Sequence, residues 1–199
     1  MTLCEAIPRE PPREGSIPVL ETKRLALRAP RLEDAKTIAT LANDRRIAEN
    51  VARIPHPYVL SDAENFVTGI NKAGGEAAFL IALRDGTAIG TCSIVQQEQM
   101  AELGYWLGAP HWGQGYATEA LHAVIDYAFT DLGHEALHAR ARVTNPASRR
   151  VLEKCGFQWT GVGLYRIRAI NSSAPIDRFR LERGIWSAIK GWGRMKRVM

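Results

Sequence analysis

At 199 residues, with 46% hydrophobic and 24% charged side chains and a formal net charge of +5, the chain has the balance of one ordinary globular domain with tails. It contains no run of about 18 apolar residues, which excludes a membrane-spanning helix. The three cysteines, Cys4, Cys92 and Cys155, are odd in number and far apart, which excludes a disulfide framework or zinc spacing and suits a reducing cytoplasm.

Residues 1–20 are rich in Pro, Arg and Glu without periodicity, so a mobile lead-in is expected. That opening has no apolar core and carries acids, unlike a secretory signal. Residues 20–28 alternate at Leu25 and Leu27, which predicts a first strand ended by Pro30. A helix is predicted over 32–52, with Ala35, Ile38, Leu41, Ala42 and Val51 inward. Pro55-His56-Pro57-Tyr58 must be a loop, because each proline forces its predecessor out of the helical region. Ser61 and Glu64 then read as a capping box for a helix that buries Ala63, Phe66, Val67 and Ile70 and stops at Gly74-Gly75.

Residues 79–83 and 88–95 form two strands around an Arg84-Asp85-Gly86-Thr87 hairpin turn, and 102–107 forms the next strand. Gly108-Ala109-Pro110 breaks it, and Trp112-Gly113-Gln114-Gly115-Tyr116-Ala117 makes a glycine-rich turn. From Ala117 the apolar residues Ala120, Leu121, Val124, Ile125, Ala128, Phe129 and Leu132 follow helical spacing. Strands at 138–143 and 157–164 flank a helix that Asn145 caps, Pro146 opens and Gly156 ends. A last strand covers 178–183, and a short basic helix is expected from Trp186 onward. Residues 1–20, 21–184 and 185–199 are thus expected to be lead-in, single domain and basic tail. The tail carries Lys190, Arg194, Lys196 and Arg197 and no acid, leaving the rest of the chain at about +1. It reads as a solvated end, with weak contact to RNA or an acidic surface as the alternative.

Strand, glycine-rich turn, helix is an order suited to anions. Small residues let backbone approach a ligand, and the unpaired N–H groups of a first helical turn point at it along the helix dipole. Spacing excludes a dinucleotide fingerprint, which needs a third glycine and a following acid, and a P-loop, which needs Gly-Lys-Ser/Thr.

The stretch Trp112–Ala117 resembles the acyl-CoA pyrophosphate loop R/Q-x-x-G-x-G/A of GCN5-related N-acetyltransferases (GNATs), with Trp112 replacing the first Arg or Gln. Gly104-Tyr105-Trp106 with residues 112–120, and Leu20-Glu21-Thr22 with Arg24-Leu25 and Leu27-Arg28, resemble the RimJ/RimL branch. Residues 145–157 are similar to the second acetyl-CoA segment, N-x-x-S-x-x-v-x-x-k-x-G-F. The resemblance implies an α/β (α+β) GNAT fold, a mixed central sheet of six or seven strands splayed at its centre and flanked by helices. It implies acetyl-CoA as cosubstrate. Amides of Gln114, Gly115, Ala117 and Thr118 would hold its pyrophosphate, with Gly113 shaping the turn. Backbone of Tyr105, Trp106 and Leu107 would carry the pantetheine arm, and Asn145 and Ser148 would contact the pantetheine or thiol end. Asn145 is equally explained as a helix cap, and the two roles can coexist.

Acetyl transfer to an amine needs a place for the amine's proton. An α-amine, with pKa about 7.7–8.0 against about 10.4 for lysine, needs only a modest base. Glu102, at the start of the central strand, is the candidate, acting through a water; its competing reading is an exposed strand-end charge. A strand amide at 103–105 is expected to polarise the thioester carbonyl. Where many relatives carry a tyrosine acid this chain has Leu152, and Ser148 is the expected substitute, against the reading that it only makes a local backbone bond. The amine attacks directly in a ternary complex, and no metal is implied.

Together these readings predict a cytoplasmic N-acetyltransferase, monomeric or homodimeric, acting on the N-terminal α-amine of a protein of the ribosomal kind. The alternatives are a small amine acceptor (polyamine, amino acid or antibiotic) or a catalytically inactive acyl-CoA-binding module. Asp44, Glu49, Asp62 and Glu64 are interspersed with Arg45, Arg46 and Arg53, a mixture that argues against a polyamine pocket.

Overall fold

Eight strands form one open sheet in the computed structural model, which describes residues 17–70, 76–97 and 100–194. The chain runs β1 (Leu20–Glu21), β2 (Leu25–Arg28), α1 (Ala35–Ala42), α2 (Arg45–Ala48), α3 (Leu60–Ile70), β3 (Glu76–Leu83), β4 (Ala88–Gln97) and β5 (Met100–Leu107). It continues through α4 (Tyr116–Thr130), β6 (Ala136–Arg142), α5 (Pro146–Lys154), β7 (Gln158–Ile167), β8 (Ser172–Glu182) and α6 (Arg183–Arg194). Across the sheet the order is β1-β2-β3-β4-β5-β6-β8-β7. Neighbours are antiparallel except β5 with β6, which are parallel.

Strand alternation separates two apolar layers. Ala77, Phe79 and Ile81 of β3 pack with Leu121, Val124, Ile125 and Phe129 of α4, Leu152 of α5 and Trp186 of α6. Leu80 turns the other way, into a second cluster with Ile38 and Ala42 of α1, Ile47 of α2 and Val67 of α3. Helices therefore cover both faces of the central strands, which accounts for the near-continuous apolar run of β3.

The splay that makes a cleft lies between the parallel strands. They pair only at Ala101 with Leu137, Glu102 with His138 and Leu103 with Ala139. Beyond those pairs β5 runs on to Leu107 and β6 to Arg142 without each other, so the sheet opens at their carboxyl ends.

Several expected elements are divided or extended. The predicted first strand is two, because Thr22 Oγ1 accepts the Leu25 N–H (3.0 Å) and turns the chain into a short hairpin; the sheet thereby gains its eighth strand. The predicted helix over 32–52 breaks after Ala42. The Asn43 side chain accepts the Tyr58 N–H (2.9 Å) and Asp44 caps α2 by accepting from the Arg46 N–H (2.8 Å), so both leave the helical ladder. At α3 the reciprocal bond is from the Val59 N–H to Asp62 (3.1 Å), two residues earlier than the expected Ser61–Glu64 box. Its expected terminator, Gly74-Gly75, lies outside the described residues.

β8 starts at Ser172 rather than 178. Pro175 sits past the last β6 pair, Arg142 with Ile176, where its missing N–H costs no β6 ladder bond and its carbonyl accepts the Val143 N–H (3.2 Å). The expected boundary at 184/185 falls at the head of α6, whose Trp186 is 4% exposed and donates its indole N–H to Asp126 (2.6 Å). Lys190 binds the same carboxylate at 2.7 Å. Among the described residues no helix is long and apolar enough to cross a membrane.

Candidate active site

A cleft of about 940 Å³ occupies the splay, walled by the β5 and β6 ends, the N-termini of α4 and α5, and the α2–α3 segment. Its two halves differ in chemistry.

The first half is built from the glycine-rich turn. Gly113 and Gly115 hold φ of +74° and +80°, where an L side chain is strained, and a Cβ on Gly113 would meet nothing within 4 Å. Gly115 is the N-cap of α4 and supplies no side-chain cap, so the first-turn N–H groups of a 15-residue helix have neither a helical nor a capping partner. An anion would satisfy them and the helix dipole together, and the backbone at Gly113 is open to one.

Arg24, in the β1–β2 turn, holds this turn from behind. It donates to the Gln114 carbonyl (2.9 Å) and to Glu119 (2.6 Å) and stacks over the Tyr116 ring (4.5 Å). Glu119 is partly buried, which opposes its charge, but bonds from Thr22 and Arg24 outweigh this and hold its carboxyl below the usual range. Trp112, at the position that departs from the Arg/Gln pattern, donates its indole N–H to the Leu107 carbonyl (2.7 Å) and so ties the turn to the end of β5.

Asn145 caps α5, accepting the Ser148 N–H at 3.1 Å, while both residues line the cleft. Cap and cleft positions thus coincide. Ser148 Oγ lies 2.9 Å from the Tyr105 hydroxyl. Burial pushes the Tyr105 phenol up to about 12, although the Ser148 bond works the other way, so it remains a protonated donor near neutral pH. Leu152, one turn beyond Ser148, is 1% exposed within the main core.

The second half centres on Glu102. Burial raises its carboxyl pKa, against the lowering pull of Arg140 and Arg53. Arg140 Nη2 lies 3.1 Å from its carboxylate, and the pair is about three-quarters buried. A raised carboxylate pKa is the direction that makes a better base near neutral pH.

The expected cofactor residues Tyr105, Trp106, Leu107, Gly113, Gly115, Ala117, Thr118, Asn145 and Ser148 all line this cleft, together with Glu102. Gln114 does not. Its side chain turns back to the Pro110 carbonyl (3.0 Å) and its own carbonyl to Arg24. Sequence reasoning assigned Tyr105 for its backbone and missed its hydroxyl, because β5 and α5 meet only in the fold. It also missed Arg24 and the arginines of β6. The alternation in Ala136–Arg142 was a usable signal for the latter, since it puts His138, Arg140 and Arg142 on one face.

Comparison with known proteins adds the following. The profile of the acetyltransferase (GNAT) domain family matches residues 24–158. An uncharacterized N-acetyltransferase p20 of Bacillus licheniformis is 35% identical over 150 residues, 72% of this chain and 84% of that protein. Among solved structures, the ribosomal L7/L12 alpha-N-protein acetyltransferase RimL in complex with coenzyme A superposes with a TM-score of 0.72 at 18% identity, over 83% of this chain and 98% of that one. The spermidine N-acetyltransferase of Vibrio cholerae, in complex with CoA and spermine, also gives 0.72, at 22% identity, over 83% and 99%.

Proposed function

The chain belongs to the GNAT family of acetyltransferases, and on that premise we propose that it uses acetyl-CoA to acetylate the N-terminal α-amine of a protein, of the ribosomal-protein kind. The observation that carries this reading is the meeting, in one cleft, of the open α4 N-terminus, the Ser148–Tyr105 pair and the buried Glu102. Family chemistry is cytoplasmic chemistry in this reading, since the cosubstrate is an intracellular metabolite.

Acetyl-CoA supplies an activated thioester. First-turn amides from Gly115 to Thr118 bind its diphosphate, and the free edge of β5 beyond Leu103 carries the pantetheine arm into the splay. Glu102, through a water, takes the proton from the incoming amine as nitrogen attacks the carbonyl carbon. A β5 amide within 103–105 faces the developing oxyanion. As the carbon–sulfur bond breaks, the Ser148 hydroxyl donates to the leaving sulfur. Tyr105, donating to Ser148 Oγ, frees the serine's own hydrogen to point that way.

The acceptor half of the cleft disfavours polyamines. Asp44 and Glu49 are taken up by Arg46 (2.6 Å) and Arg45 (2.6 Å), and among the described residues the carboxylates lining the cleft are Asp62 and Glu102. The test is acetyl-CoA turnover, read as free thiol, against peptides with N-terminal Ala, Ser or Met, a lysine peptide with a blocked N-terminus, spermidine and an aminoglycoside. Turnover is expected on a free-N-terminus peptide and not on its blocked form. Turnover confined to spermidine or the aminoglycoside, or cofactor binding with no turnover on any acceptor, would replace this reading with a small-amine enzyme or a sensor.

A further inference from the structure

β6 delivers two arginines to the acceptor wall of the cleft. Leu137, Ala139 and Ala141 turn into the main core, so Arg140 and Arg142 share the opposite face, about 7 Å apart along the strand. Each is held by part of its guanidinium. Arg140 Nη2 meets Glu102 at 3.1 Å and its planar group lies over the Tyr165 ring at 4.2 Å. Arg142 Nη1 donates to the Glu49 carbonyl at 2.9 Å. These contacts fix both forks in place.

They leave two donors over. Arg140 Nη1 and Arg142 Nε are buried and have no acceptor among the described residues. A buried guanidinium N–H without an acceptor has lost water and gained nothing, and in a native protein it calls for a ligand or an ordered solvent molecule. Guanidinium forks match the two oxygens of a carboxylate or phosphate. Arg53 and Arg168 line the same wall, where the Arg168 N–H bonds the Ala52 carbonyl (3.0 Å) and fastens the β7–β8 end against the α2–α3 segment. Against these cations the lining carboxylates among the described residues are Asp62 and Glu102, and Glu102 is already matched by Arg140.

The geometry points to an acceptor that carries a carboxylate or other oxyanion a few bonds from its reacting amine, with the amine at Glu102 and the anion beside the guanidinium groups of Arg140 and Arg142. The inference rests on the amine site assigned to Glu102 under the proposed function. In a protein acceptor the anion is an acidic side chain at the second or third residue; in a small acceptor it is the molecule's own carboxylate. The same cations disfavour the ammonium form of the amine and so help to free its lone pair.

The experiment compares kcat/KM of the full chain with acetyl-CoA for three peptides identical except at residue two, Ser-Glu, Ser-Gln and Ser-Lys, alongside free glutamate and spermidine. The Glu peptide is expected to exceed the Gln peptide by about tenfold, a charge-assisted bond's worth, and the Lys peptide by more. In Arg142→Gln the Glu/Gln ratio falls to near one. Equal or better turnover of the Gln or Lys peptide overturns the inference and leaves the N-terminal reading standing. Turnover of glutamate with none on peptides sustains the anionic acceptor and removes the protein acceptor. Turnover of spermidine alone, or of nothing in this panel, overturns it, and the wild-type ratios decide the matter even if the variant does not fold.

Discussion

Ser148 and Leu152 stand one turn apart on α5, one at the cleft and the other 1% exposed in the core. Leu152 thus serves packing here, and the hydroxyl role we propose falls to Ser148, with the Tyr105 hydroxyl 2.9 Å away. A hydroxyl rotor has no fixed direction on its own; in the proposed mechanism the phenol donates to it and leaves its hydrogen one useful direction, toward sulfur. Ser148→Ala is expected to lower kcat about tenfold to a hundredfold with little change in the KM for acetyl-CoA. Tyr105→Phe should cost less, and the double variant no more than Ser148→Ala alone, since the phenol acts through the serine. Steady-state kinetics on the four proteins check this; a double variant with the two losses multiplied would mean that the hydroxyls act separately.

At the scale of elements, the anion site proposed at α4 rests on an N-cap that is a glycine at φ +80° with no side-chain cap. Gly115→Ala puts a side chain into the left-handed region at a cost of about 1–2 kcal/mol, with Arg24 Nη2 3.4 Å from the new Cβ. Coenzyme A affinity measured by calorimetry should fall about tenfold; unchanged affinity would show that the turn does not hold the diphosphate. This turn was legible in the sequence because its signals are local: Gly-x-Gly before a helical period, and likewise Asn145-Pro146 before α5. The misplaced boundaries were set at long range. The break after Ala42 depends on Asn43 reaching Tyr58, and the β1–β2 turn on Thr22 and Arg24 reaching Glu119, 97 and 95 residues on. The Ser61–Glu64 reading failed more narrowly, because Asp62 offered an equivalent carboxylate two residues earlier.

For the molecule as a whole, the cleft is a property of the sheet. Three parallel pairs, at Ala101–Leu103 and Leu137–Ala139, hold β5 to β6, and past them the strands part. Glu102 sits at the last closed rungs and Ser148 on the helix that follows β6, so the split places a buried carboxylate and a hydroxyl in one cavity with the α4 amides. Family motifs in the sequence picked out one half of the cleft lining, since each motif is a short contiguous string. The acceptor half was illegible because Arg53, Arg140, Arg142 and Arg168 become neighbours only when the α2–α3 segment and the β7–β8 end close over β6. The measurement that tests the account most directly is thiol release from acetyl-CoA by wild type and Glu102→Gln, with the cosubstrate's thermal stabilisation of each recorded alongside. The account predicts turnover lowered by about 10²–10⁴ in the variant, with stabilisation by acetyl-CoA kept in both. Wild-type turnover in Glu102→Gln would contradict it.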